Sequence, residues 1–89
     1  MARVVFTANL QRLIDCPEQS VDASTVMEAL DLACAGNEAL RGYVVDDQHR
    51  LRKHVIIFLD GAPIVDREKL SDPVDADTEI YIMQALSGG

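Results

Sequence analysis

Tryptophan is missing from this chain, and aromatic residues make up only 4% of it. A core built without them must be aliphatic, from Val, Ile, Leu and Ala, with Phe6 and Phe58 each set in an apolar run. Basic residues are also scarce. Eight Lys and Arg stand against fifteen Asp and Glu, a net charge of −7. That balance speaks against nucleic acid as a partner, because phosphates repel an acidic surface. It suits a protein partner with a basic docking face. No run approaches the ~20 apolar residues of a membrane span. Met1-Ala2-Arg3-Val4 lacks the apolar core and cleavage site of a signal peptide, so the expected location is cytoplasmic and away from membranes. Cys16 and Cys34 have no close spacing, which is not a metal pattern, and a disulfide is not expected in a reducing compartment. His49 and His54 lack Cys or carboxylate companions at ligand spacing, so no metal site is expected. There is no nucleophile–base spacing and no Gly-rich phosphate loop, so no catalytic residue is assigned and no stably bound cofactor is expected. With 89 residues, the chain suffices for one domain. A domain this small buries somewhat over ~60% of its unfolded surface, which leaves little apolar material for a walled active site.

What is present reads as strands and one main helix. Residues 3–10 alternate, with Val4, Phe6, Ala8 and Leu10 on one face and Arg3, Val5, Thr7 and Asn9 on the other, as in a strand. Gln11-Arg12 would turn the chain into a second strand within Leu13 to Val21, kept to an edge by Pro17. Val26, Ala29, Leu30 and Ala33 then recur at helical spacing. Thr25 with Glu28 fits a capping box, with Ser24 as the alternative cap, and Gly36-Asn37 ends the helix, which spans about residues 25–35. Cys34 falls on this helix as a small hydrophobe. Glu38 to Arg41 forms a short helical piece before Gly42, with Leu40, Tyr43 and Val44 covering one end of the core. Asp46-Asp47-Gln48-His49 is a polar loop. His54 to Leu59 is the strongest strand; its Val55 to Leu59 run is apolar on both faces and should be covered on both sides or at a subunit contact. Asp60-Gly61 predicts a tight hairpin turn. Ala62-Pro63-Ile64-Val65 is the return strand, and Pro63 places it at an edge. A polar connection over 66–78 is anchored by Leu70 and Val74. Glu79 to Met83 is the last strand, with Ile80 and Ile82 on one face and Tyr81 and Met83 on the other. The first and last strands are the natural central pair. The fold expected is α+β: a β-grasp with a mixed sheet of four or five strands and one main helix.

Residues 1–83 would form this domain and 84–89 a flexible tail. Gln84-Ala85-Leu86-Ser87-Gly88-Gly89 carries no charged side chain and no β-branched residue. Six residues at roughly 3.3 Å each reach on the order of 20 Å. That is enough to cross a channel into a partner's active site. Gly fits a narrow channel because it has no Cβ and a permissive backbone. The reacting group would be the α-carboxylate of Gly89, with Gly88 as the slender approach. Leu86 would anchor the tail outside the channel, beside Ser87. The carboxylate is a poor electrophile, so attack on it requires activation, for example as an anhydride with AMP.

The segment Leu51 to Gly61, the approach Asp75-Ala76-Asp77-Thr78-Glu79-Ile80-Tyr81-Ile82 and the terminal Ser87-Gly88-Gly89 resemble the ubiquitin-like sulfur carriers of the MoaD/ThiS type. The resemblance covers nearly the whole chain. It implies a β-grasp fold and a carrier that is not itself an enzyme. An E1-like adenylating enzyme would use ATP and Mg²⁺ on the carboxylate matching Gly89. A persulfide sulfur donor would then yield a C-terminal thiocarboxylate. A biosynthetic enzyme would accept the sulfur, such as a molybdopterin synthase large subunit or a thiazole synthase, with cysteine and tRNA thiolation as other destinations. Gln84-Ala85-Leu86-Ser87 stands where the family commonly has Pro-Ala-Val-Ala, which departs from the usual molybdopterin tail.

Two other functions fit the same residues. One is a modifier conjugated to lysines through Gly89. The other is a β-grasp binding module whose terminus is incidental. For the chain as substrate of an activating enzyme, the expected docking surface is the exposed sheet face next to the tail, including Phe58, Tyr81 and Met83. The basic stretch His49 to His54 reads as a solvated loop or a docking patch for an acidic spot on a partner. Leu51 interrupts it and aromatic stacking partners are lacking, so it does not read as a nucleic-acid site. The acidic run Asp72 to Glu79 lacks calcium-loop spacing and reads as a turn at a sheet edge.

Overall fold

The computed structural model describes residues 1–14 and 16–84. β1 spans Ala2–Phe6, α1 Ala8–Leu13, β2 Gln19–Val21, α2 Val26–Ala33, α3 Glu38–Val44, β3 Val55–Leu59, β4 Ala62–Pro63 and β5 Glu79–Gln84. The strands form one mixed sheet in the order β2-β1-β5-β3-β4. β1 and β5 pair in parallel, with Val4 opposite Ile80 and Phe6 opposite Ile82. β5 also pairs antiparallel with β3, so it sits at the centre, as its alternation predicted. This is the β-grasp arrangement expected from the strand order.

The helices pack on one face of the sheet. Val4, Phe6, Val55, Ile57, Ile80 and Ile82 point into that layer and are fully buried. They meet the stripe of Val26, Ala29, Leu30 and Ala33 on α2. The cap of α2 forms as expected: the Glu28 amide donates to the Thr25 hydroxyl at 3.2 Å. The Glu28 carboxylate reaches back to the Ser24 amide at 2.8 Å. Gly36 supplies the left-handed residue beyond the helix, at φ 74°. Leu70 and Val74 do anchor the long connection, whose carbonyls take donors that a helix start leaves without partners. Val26 N donates to Asp72 O at 3.0 Å, and Met27 N to Leu70 O at 2.9 Å.

Several expectations are corrected. The alternating run stops being a strand at Phe6, and Ala8–Leu13 is a helix capped by Thr7. Phe6 and Leu10 are four apart, a spacing that strand and helix share. The turn at Gln11-Arg12 is therefore absent, and the second strand shrinks to Gln19–Val21 at the sheet edge. α3 runs through Gly42 to Val44 and so outlasts the piece expected. Of the two settings expected for β3, cover on both faces is not found among the described residues: Val55 and Ile57 are buried, whereas Ile56 and Phe58 are half-buried. β4 keeps two residues. The Asp72 carboxylate takes the amides of Val65 and Asp66 at 2.9 and 2.8 Å and turns the chain away from β3. β5 gains Gln84, one residue past the expected end.

Candidate functional site

The sheet face away from the helices is open, and its register builds an apolar patch. Tyr81 on β5 lies opposite Val5 on β1 and Phe58 on β3. Phe58 in turn lies opposite Pro63 on β4. One row thus crosses four strands as Val5, Tyr81, Phe58 and Pro63. A second row, nearer the end of β5, sets Met83 opposite Ile56. Val5, Ile56, Phe58, Tyr81 and Met83 are all half-buried, and Pro63 is exposed. At the other end of the face, Arg3 lies opposite Glu79 and bonds its carboxylate. Glu18 approaches the same guanidinium at 3.6 Å. The face therefore changes from charged to apolar along β5 toward the chain end. An apolar patch with a polar rim is what a protein interface requires.

The turn beside this face is tight. Asp60 and Gly61 both hold positive φ, 50° and 91°, as the Asp-Gly pair predicted. The Asp60 carboxylate also accepts from the Glu79 amide at 2.9 Å, which ties the turn to the start of β5.

Phe58, Tyr81 and Met83, singled out in the sequence, are brought onto this one face. Leu86, Ser87, Gly88 and Gly89 lie outside the described residues. Val5, Ile56 and Pro63 were missed. Val5 carried a signal, since it sits on the outward side of the first alternation. Ile56 was hidden inside a run that is apolar at every position.

The described residues offer little competing chemistry. Cys16 and Cys34 are both buried thiols. Burial pushes the Cys34 thiol up, which disfavours a reactive thiolate. Among the described residues there is no group of three or more His, Cys, Asp or Glu placed to hold a metal. No helix among them is long and apolar enough to cross a membrane.

No family model and no curated protein matches the chain in sequence. Solved structures do match in shape. The crystal structure of SAMP1 from Haloferax volcanii superposes with a TM-score of 0.76 at 24% identity, covering 99% of this chain and 98% of that one. The small archaeal modifier protein 1 of Methanosarcina acetivorans gives 0.80 at 23% identity, with 99% and 95% covered. A chain of the Amycolatopsis orientalis BexX/CysO complex gives 0.81 at 15% identity, with both chains covered in full. At these identities the likeness shows the fold, a ubiquitin-like β-grasp.

Proposed function

We propose that this ubiquitin-like β-grasp chain is a carrier loaded at its own terminus, with sulfur held on Gly89. The observation that carries the reading is the course of β5. This central strand shows an outward face of Tyr81 and Met83, and the sequence then runs from Gln84 into Ser87-Gly88-Gly89. A partner docked on the apolar face would receive the terminus directly. The likeness to a chain of a two-protein complex supports a fold that works docked on another protein.

The chemistry would belong to an E1-like partner holding ATP and Mg²⁺. The Gly89 carboxylate attacks the α-phosphorus of ATP and expels pyrophosphate. A persulfide sulfur then attacks the acyl carbon and expels AMP. A reducing thiol cleaves the remaining S–S bond and leaves a thiocarboxylate. The chain supplies the unhindered carbonyl and the docking face. A biosynthetic enzyme accepts the sulfur.

Co-expression with the cognate adenylating enzyme and a sulfur donor should convert the protein to a species heavier by about 16 Da, sulfur for oxygen. Only unmodified protein under those conditions would sink the carrier reading. The likeness to two small archaeal modifier proteins favours a second reading, conjugation to lysines through Gly89. Adducts that survive reducing, denaturing gels would support it, and deleting Gly88-Gly89 should abolish them. Unchanged function after that deletion would instead favour a plain binding module.

A further inference from the structure

The basic stretch at His49 to His54 is not absorbed by the terminal chemistry, and the fold gives it a definite setting. Arg50, Arg52, Lys53 and His54 face Arg67 across an open groove of about 660 Å³, with Asp46 and Glu68 in its walls. Four of the eight Lys and Arg of an acidic chain thus line one groove against two carboxylates. The guanidinium groups are held in place. Arg52 Nε donates to Gly42 O at 2.6 Å, and Arg67 Nη2 donates to Arg52 O at 3.0 Å. Arg50 Nε donates to the Asp46 carboxylate at 3.3 Å. That carboxylate also accepts the amides of Gln48 and Arg50, at 2.8 and 3.0 Å, and so fixes the loop. His54 packs edge-on against Tyr43, ring centroids 4.7 Å apart. Each Arg keeps further N–H donors for a ligand, and Lys53 has no carboxylate partner among the described residues.

Position matters as much as charge. Val55 pairs with Gln84 at the end of β5, and Lys53 and His54 form the turn just before β3, closed by the Val55 amide donating to Arg52 O at 3.1 Å. The groove, which Lys53 and His54 line, therefore lies at the end of the sheet where the pairing of β3 with β5 stops. A partner that engages both the end of β5 and the terminus would have this groove within reach.

We propose that this groove docks an acidic segment, rich in Asp or Glu, of the protein that receives the chain terminus. The cations favour a peptide over a phosphate. They are spread along one loop and across to Arg67 on another, and the groove is open and much larger than one phosphate. The proposal takes its partner from the terminal-activation reading, but its chemistry is tested without it.

The test is a titration of isotope-labelled protein with oligoglutamate, oligolysine and inorganic phosphate, read by amide shifts. Oligoglutamate should shift the amides of Arg50 to His54 and Arg67. The effect should weaken when salt rises from about 50 to about 300 mM, as the screening length shortens. It should also weaken in Lys53→Glu and Arg67→Glu, both at exposed positions whose change leaves the core intact. No shift at these amides, or phosphate acting at lower concentration than oligoglutamate, overturns the proposal. With the adenylating partner, either variant should raise the KM for this chain about tenfold with kcat kept, since the groove acts in docking; an unchanged KM also overturns it. A parent protein that no enzyme adenylates would defeat the terminal reading, and the titration would still decide the groove.

Discussion

Single aspartates do much of the local shaping in this chain. Asp60 holds a left-handed φ of 50° and caps the Glu79 amide. Asn and Asp tolerate that backbone better than other residues with a side chain. Asp60→Asn should therefore stay within about 0.5 kcal/mol of the parent, while Asp60→Ala should lose about 1–2 kcal/mol in urea unfolding. Equal losses in both variants would contradict this account. Asp66 shapes the connection before β5. Its carboxyl is held down to about 2, first by the Lys69 amide, then by the Ser71 hydroxyl, with the Ser71 and Glu68 amides adding to them against burial. In the unfolded chain an Asp titrates near about 3.9. The folded form binds fewer protons, so the stability Asp66 contributes is complete above that value. It is lost as the pH falls through about 2. Asp66→Asn should be less stable than the parent at neutral pH and should flatten the fall in stability between about pH 4 and 2, measured by unfolding midpoints across that range. A slope identical to the parent's would rule the mechanism out.

At the scale of elements, α2 has the most explicit signals and the clearest test. Thr25→Ala removes a cap worth about 1 kcal/mol, a fall in Tm of roughly 4–8 °C for a domain of this size. Thr25→Ser keeps the hydroxyl and should stay near the parent in a thermal melt. Where a residue type is tied to one geometry, the element was legible in the sequence: Thr25 with Glu28, Gly36, Asp60-Gly61, and the alternation of Ile80 and Ile82 against Tyr81 and Met83. Where two geometries share a spacing, it was not. Phe6 and Leu10 fit both periods, and the competing reading lost because Thr7 caps a helix there. β3 was legible as a strand but not in its surroundings. A run apolar at every position does not say which neighbours will be present, and here the helices cover one face only. The open apolar face was partly legible for the same reason: Tyr81 and Met83 alternate visibly with buried residues, whereas Ile56 does not.

Across the whole molecule, the buried core and the apolar patch proposed for docking fall on opposite sides of one sheet. Ile57 points into the helix layer and is fully buried, and its neighbour Phe58 lies half-buried on the open face between Tyr81 and Pro63. Adjacent residues on β3 should therefore separate the two properties. Ile57→Ala opens a cavity in a small aliphatic core and should lose about 2–5 kcal/mol. Phe58→Ala removes a side chain that already meets solvent, so its loss of stability should be smaller, below about 1–2 kcal/mol. If the open face seats the activating partner, Phe58→Ala should still weaken activation strongly. An aromatic anchor at the centre of an interface is worth about 2 kcal/mol or more, which is a rise in KM of about thirtyfold. Thermal melts and adenylation kinetics on the two variants give both readings. A Phe58→Ala protein that melts like the parent and is activated at the parent's KM would move the docking surface off this face.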